Sequence, residues 1–355
     1  MRWDNEKFNK GEWSELYVFF SILADGKIYA ADENLNRIEQ TFYSVLKVIR
    51  ENKSYTRDEA NKLILIRSDN ESLEIPIQKF VDMAPKLLNE IRTARGSSFA
   101  IPEISDLLND IAVTKVKAES SRKGDLTVQI HDDYTGTEPI IDFSIKSYLG
   151  GTPTLLNASS ATTAEFILSH DIDEKLAEQV NAVTSGSKIK DRIEFLCANG
   201  YELEFNRLLD RTFYHNLAMI DYKMPELLSL LFLSSYFVKG KKISDVVAYL
   251  CGHYYEFSDQ ELVEYKVKDL LVAIALGMVP KTKWTGLDEA NGGYVIVKKD
   301  GDSVCYHIYD RNRLKDYLYQ HTKFDSPSSS RTGAGVLNIS EGKGAMKLTI
   351  QIRFS

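Results

Sequence analysis

Cysteine is nearly absent: Cys197, Cys251 and Cys305 stand far apart in 355 residues. No C-x-x-C pair exists, which excludes a disulfide framework and a cysteine-type zinc site and suits a reducing cytoplasm. Histidine is as sparse. The six residues show neither H-E-x-x-H nor any paired spacing, so the usual helical zinc signature is missing. No apolar run approaches the roughly 20 residues of a membrane span. The charged N-terminus followed by an amphipathic pattern is no signal peptide. The expectation is a cytoplasmic protein with no membrane partner. An excess of positive charge is lacking too: the net charge is −7, which counts against a general nucleic-acid binder living on phosphate neutralisation. The deficit is uneven. Residues 331–355 carry Arg331, Lys343, Lys347 and Arg353 against Glu341, a net of +3 that leaves about −10 for the remainder. A basic cleft in an acidic chain and a solvated basic tail both satisfy those numbers.

With 43% hydrophobic residues, the chain can bury a substantial core as one large domain or two. Three zones follow from the patterning. The first, residues 1–165, holds an opening helix, further helical sequence at Asn34–Asn52 and Ile75–Arg95, and an alternating hairpin. The second, 166–285, reads as mainly helical, with apolar residues three and four apart in Tyr201–Leu209, Pro225–Phe237, Ile243–Tyr249 and Leu262–Leu276. The third, 286–355, is rich in strand signals and can pack with the first for recognition of a ligand. Gly293–Tyr309 reads as a hairpin turned at Asp300-Gly301, and Leu348–Phe354 as a closing strand.

The hairpin in the first zone carries the chemistry. Lys123-Gly124-Asp125 leads into Leu126-Thr-Val-Gln-Ile130, and Ile140-Ile-Asp-Phe-Ser-Ile-Lys146-Ser follows a run of turn formers. Alternation assigns Leu126, Val128, Ile130, Ile141, Phe143 and Ile145 to a buried face. It gathers Asp125, Asp142, Ser144 and Lys146 on the polar one. An acid and a lysine on paired strands suit metal-assisted cleavage of a phosphodiester. The carboxylate holds a hard divalent cation, and the ammonium orients water or meets developing phosphate charge. The plain structural alternative is a strand start at Asp125 and a solvated strand residue at Lys146.

Ahead of the hairpin, Lys10-Gly-Glu-Trp-Ser-Glu-Leu-Tyr17 opens an amphipathic helix that stops at Asp25-Gly26. Trp13, Leu16, Phe20 and Leu23 form its core stripe. Glu12 and Glu15 lie one turn apart beside it. Glu12 reads as a complement to the helix dipole, and Glu15 as a functional acid.

Gly11-x-x-x-Glu15, Gly124-Asp125 and Ser144-x-Lys146, in that order, resemble the motif set of the PD-(D/E)xK nuclease superfamily. Longer strings resemble one branch of it, the HpaII family of type II restriction endonucleases. They are Asn9–Tyr17, Phe143–Ser147, Thr154–Ser159, Cys305–Arg311 and Thr322–Asp325, so the likeness runs nearly end to end. It implies an α/β fold in which a mixed sheet flanked by helices forms the nuclease core, beside a helical middle and a β-rich C-terminal region. It also implies Mg2+-dependent hydrolysis of double-stranded DNA at a short palindromic C/G site, CCGG-like, leaving 5′-phosphate ends and cut by a homodimer on DNA. The catalytic set carried over is Asp125, Lys146, Ser144 and Glu15. The metal ligands are Asp125, Glu15 and Asp142.

The sequence departs from the superfamily at Ser144, where most members carry an acid. A hydroxyl is a poorer magnesium ligand because it brings no charge, so Glu15, Asp142 or Glu165 would have to supply the second carboxylate. A lysine in ordinary surroundings is protonated at neutral pH, so Lys146 is read as positioning water. For base reading, Gly150–Thr163 and Lys323–Arg331 offer small donors and cations, with Asn157, Lys323 and Arg331 as the DNA-binding candidates. The first segment reads equally as a connecting loop with a helix cap. Two other classes fit the sequence: a catalytically inactive DNA-binding protein of the same fold, and a helical protein-interaction scaffold.

Overall fold

The computed structural model describes residues 3, 5–69, 72–116, 124–133, 135–327 and 333–355. The chain folds as two compact units, residues 1–153 with 288–314, and 154–287 with 315–355. The architecture is mixed α/β. Among the described residues no helix is long and apolar enough to cross a membrane.

In order, unit 1 contains α1 (Lys10–Asp25), β1 (Lys27–Ala31), β2 (Arg37–Arg50), β3 (Lys53–Asp58), β4 (Leu63–Arg67), β5 (Ser72–Pro76), α2 (Ile77–Thr93), α3 (Ser105–Asp110), β6 (Leu126–His131) and β7 (Ile140–Ser147). Unit 2 opens with β8 (Thr154–Leu156), β9 (Thr163–Leu168), α4 (Glu174–Ala182), α5 (Lys188–Ala198), β10 (Leu203–Leu208), α6 (Arg211–Ile220), α7 (Met224–Ser234), α8 (Ile243–His253) and α9 (Gln260–Leu276). The chain then returns β11 (Gly293–Val297) and β12 (Ser303–His307) to unit 1. It finishes with α10 (Arg311–Gln320), β13 (Thr322–Phe324), β14 (Leu337–Ser340), β15 (Lys343–Thr349) and β16 (Ile352–Phe354).

Unit 1 is built on a nine-stranded sheet in the order β1-β12-β11-β7-β6-β2-β3-β4-β5. β2 also pairs with β1 through its first half, so the strands from β1 to β2 close into a ring. β6 and β7 are antiparallel, with Leu126 opposite Phe143 and Thr127 opposite Asp142. On its other edge β7 runs parallel to β11, with Ser144 opposite Tyr294 and Lys146 opposite Ile296. Helix α1 starts with a capping box in which Asn9 and Glu12 satisfy each other's backbone N–H groups, and it ends on Gly26 at φ 71°. The stripe of Trp13, Leu16, Phe20 and Leu23 packs with Val128, Phe143 and Ile145 in one buried cluster.

Three sequence expectations are corrected. Asn34–Asn52 is not a helix: it contains the long strand β2. Its apolar residues imitate helical spacing because both edges and parts of both faces are covered, while Ile38, Thr41, Tyr43, Val45, Val48 and Ile49 favour a strand. Tyr201–Leu209 is likewise β10, not a helix. A register shift between Phe205 and Arg207 breaks its two-residue period, so that Leu203 and Leu208 are both buried. Leu348–Phe354 divides between β15 and β16, which belong to different sheets of unit 2, one ordered β10-β9-β15-β14 and the other β13-β16-β8.

Candidate active site

The hairpin sets Asp125 against β7 through two grips. Its backbone N–H donates to the Phe143 carbonyl at 2.9 Å. Its carboxylate Oδ2 accepts from the Ile145 N–H at 2.7 Å and from the Ser144 hydroxyl at 3.2 Å. Ser144 is 1% exposed, so a carboxylate at this position would stand buried against Asp125 and repel it. The hydroxyl instead supplies a donor. The Ser144 hydroxyl thereby restrains the Asp125 carboxylate. Oδ1 receives no hydrogen bond, and neither oxygen meets a cation, among the described residues.

Asp142 takes a different orientation. Its backbone N–H donates to Asn291 Oδ1 at 2.9 Å, and its Oδ1 accepts from the Thr127 hydroxyl across the hairpin. Gly124 has to be glycine here, because a Cβ would lie 2.9 Å from the Asp142 Cβ. Lys146, half-buried two residues beyond Ser144, enters no ion pair and no hydrogen bond among the described residues. Its ammonium is thus available to an anion.

Helix α1 meets the end of this hairpin at Ser14, whose hydroxyl donates to Ser147 Oγ at 2.8 Å. Glu15 and Lys146 are the immediate sequence neighbours of that pair. Glu15 lies in the field of Arg50, whose guanidinium is pushed down by burial and held up by Glu51 and then Glu15. Arg50 donates to the carbonyls of Lys115 and Val116 at 2.6 and 2.7 Å. Among the described residues no three His, Cys, Asp or Glu side chains gather to hold a metal, so Asp125, Glu15 and Asp142 do not meet as a preassembled triad. The donor set still fits magnesium, which keeps several waters and is commonly held by one or two carboxylates plus substrate phosphate. Asp125 offers a bare oxygen for that purpose.

Sequence reasoning missed two neighbours. Tyr294 lies on β11 opposite Ser144, fully buried, and its hydroxyl is pushed well up by burial first and by the Asp125 charge second. Arg50 is the other. Both were hidden for the same reason: Tyr294 is brought in by the parallel β7–β11 pairing and Arg50 by the packing of α1 on β2, where its guanidinium lies 5.5 Å from the Phe19 ring, and neither leaves a local pattern.

The remaining candidates fall in unit 2. Glu165 on β9 is 9% exposed, and its Oε1 accepts from Asn206 Nδ2 at 3.0 Å and Arg207 Nε at 2.9 Å. Its charge is already matched. Asn157 is exposed on the turn between β8 and β9, so no helix cap is formed there. Lys323 sits at the middle of β13, directly opposite Arg353. Arg331 lies outside the described residues.

The model of the HpaII restriction endonuclease family matches residues 9–354. The type II restriction enzyme HpaII of Haemophilus parainfluenzae is 40% identical to the chain over 362 residues, covering 98% of each. No solved structure matches. On a likeness of this extent, the chain belongs to the HpaII restriction endonuclease family and is with it a type II restriction endonuclease, an endodeoxyribonuclease.

Proposed function

We propose that the chain hydrolyses double-stranded DNA at a short palindromic C/G site, CCGG-like, in a magnesium-dependent reaction that leaves 5′-phosphate ends. The β6–β7 hairpin acts as a catalytic core of PD-(D/E)xK type. The observation that carries this reading is the Asp125 carboxylate. Two neutral donors, the Ile145 N–H and the Ser144 hydroxyl, hold one of its oxygens, and the other is left open. Neutral donors fix a carboxylate without cancelling its charge, which suits an ion-binding acid better than a structural salt bridge does.

Asp125 would hold the magnesium, with Glu15 and the Ile145 carbonyl as the further candidates. When bound, the ion supplies positive charge against the scissile phosphate. The remaining work belongs to the chain itself. Ser144 and the Ile145 N–H keep Asp125 from rotating. Lys146 donates to the attacking water or to a phosphate oxygen, aligning an in-line displacement whose leaving group is the 3′-oxygen. A palindromic site cut in both strands is met most simply by two copies related by a two-fold axis, so a homodimer on DNA is the working assembly.

Incubating DNA of known sequence with magnesium, and in parallel with EDTA, then mapping the fragment ends, tests the activity, the site and the product chemistry together. Asp125→Ala and Lys146→Ala should each abolish cleavage while retaining site-specific binding. Full magnesium-dependent cutting by either variant removes the assignment.

A further inference from the structure

Site choice requires donors and acceptors that reach base edges, and unit 2 contains such a set. A cleft of about 530 Å³ is lined by Ser159 and Ser160 from the β8–β9 turn and by Asp325, Ser326, Gln351 and Arg353 from the strand ends opposite. Two segments far apart in sequence, each singled out as a base-reading candidate, thus share one opening.

Arg353, on β16, is the guanidinium that lines it. β16 is the middle strand of its sheet, with Lys323 on β13 and Thr154 on β8 as the cross-strand partners of Arg353. The opposite face of the sheet is buried, where the Phe354 ring lies 6.0 Å from Tyr317 and Phe324 lies 5.7 Å from Phe232. The Arg353 side chain is 38% exposed on the open face. Placing Lys323 and Arg353 directly opposite each other sets two like charges side by side, an arrangement that weakens a sheet. Asp325, 2.9 Å from Arg353 Nε, answers one of the two charges, and the surplus suits an anionic or acceptor-rich ligand.

The guanidinium is also aimed. Its Nε lies 2.9 Å from Asp325 Oδ2, while the Asp325 backbone N–H donates to the Gln351 carbonyl at 3.0 Å and ties the acid to the strand. The two terminal nitrogens of Arg353 bind nothing among the described residues, which leaves the fork that matches guanine. We infer that Arg353 and Asp325 read one C·G base pair of the recognition site as a unit. The Arg353 fork donates to O6 and N7 of the guanine, and the Asp325 carboxylate accepts from N4 of the paired cytosine. This rests on the C/G site proposed above and assigns the residues that distinguish it. A C·G pair is the one whose major-groove edge sets two guanine acceptors beside a cytosine donor, matching a donor fork next to a carboxylate.

The test measures binding of short duplexes by fluorescence anisotropy, with calcium in place of magnesium to prevent cleavage. The duplexes carry the mapped site, no site, or the site with 7-deazaguanine at one guanine or N4-methylcytosine at one cytosine at a time. Arg353→Lys keeps a cation for Asp325 and so preserves the fold. It should weaken binding to the site by about tenfold to a hundredfold while leaving the site-free duplex unaffected. It should also erase the penalty that the unaltered protein shows for losing N7 at one particular guanine. Asp325→Ala, which removes the acceptor, should erase the penalty for N4-methylation of the cytosine paired with that guanine. Unchanged site affinity in Arg353→Lys, or an N7 penalty retained at every guanine, overturns the assignment while the endonuclease reading stands. An unaltered protein with no site preference overturns both.

Discussion

Asp125, immediately before β6 in unit 1, and Glu165, on β9 in unit 2, are both acids fixed by hydrogen bonds, yet their donors differ in charge. Glu165 is held by the guanidinium of Arg207 and the amide of Asn206, so its negative charge is answered within the fold. Asp125 is held by a hydroxyl and a backbone amide, so its orientation is fixed while no cation among the described residues answers its charge. The lesson is that burial and hydrogen bonding alone do not mark a functional carboxylate. The charge state of its donors separates an acid whose charge the fold answers from one whose charge it leaves over. Glu165 entered the sequence reading as a spare ligand because proximity in the chain cannot distinguish the two surroundings.

The comparison breaks first at the acids themselves. Asp125→Asn should lower the cleavage rate by about a thousandfold or more, the scale of losing a metal-holding charge, whereas Glu165→Gln should leave the rate unaltered in the same assay. Equal losses in the two variants would show that the donor contrast means nothing. Acid titration of unit 1 comes next in size. His307 stacks on Tyr43 at 4.3 Å and is 3% exposed, and burial lowers its pKa from 6.5 to about 4. The folded state then refuses a proton that the unfolded state accepts. Stability is complete above pH 6.5 and is lost as pH falls through that value toward 4, by about 3 kcal/mol. Chemical denaturation at stepped pH should show the slope, and His307→Gln should flatten it.

Ser144→Ala sharpens the contrast from the donor side. Removing the hydroxyl but keeping the Ile145 N–H should slow cleavage about tenfold, with site-specific binding intact. An unchanged rate would reassign Ser144 to packing. The stability of Glu165→Gln should fall by about 1 kcal/mol in urea denaturation, since one charge-assisted bond is replaced by a neutral one. Asn9→Ala should cost a similar amount, about 1 kcal/mol, through loss of the capping box with Glu12. Glu15→Gln should reduce cleavage by far more than its loss of stability in urea accounts for, whereas Glu12→Gln should change stability alone, which would separate the two glutamates of the first helix.

Much of unit 1 was legible locally. The α1 stripe, its stop at Gly26, the β6–β7 hairpin and the turn at Gly301 all carry signals within a few residues. Misreadings occurred where neighbours rather than sequence set the pattern. β2 is flanked by β6 on one edge and by β1 and β3 on the other, so its apolar residues lose the two-residue period. The shift inside β10 does the same by inserting a residue. The closing strand splits at Ile350-Gln351 because Ile350 still bonds in register with the β9 side, its N–H donating to the Thr162 carbonyl at 2.8 Å, whereas from Ile352 onward the chain pairs with β8 and β13.

By itself the sequence determined the chemistry available: an acid and a lysine separated by a hairpin, a glutamate on the first helix, and cysteine and histidine too scattered for any other metal site. Spacing along a strand fixes which side chains share a face, and that information is local. Tertiary structure decided what each group faces. Pairing of distant strands placed Tyr294 beside Ser144, matched Glu165 with Arg207 and set Lys323 across from Arg353. Those choices depend on register between segments far apart in the chain, which no short-range pattern encodes.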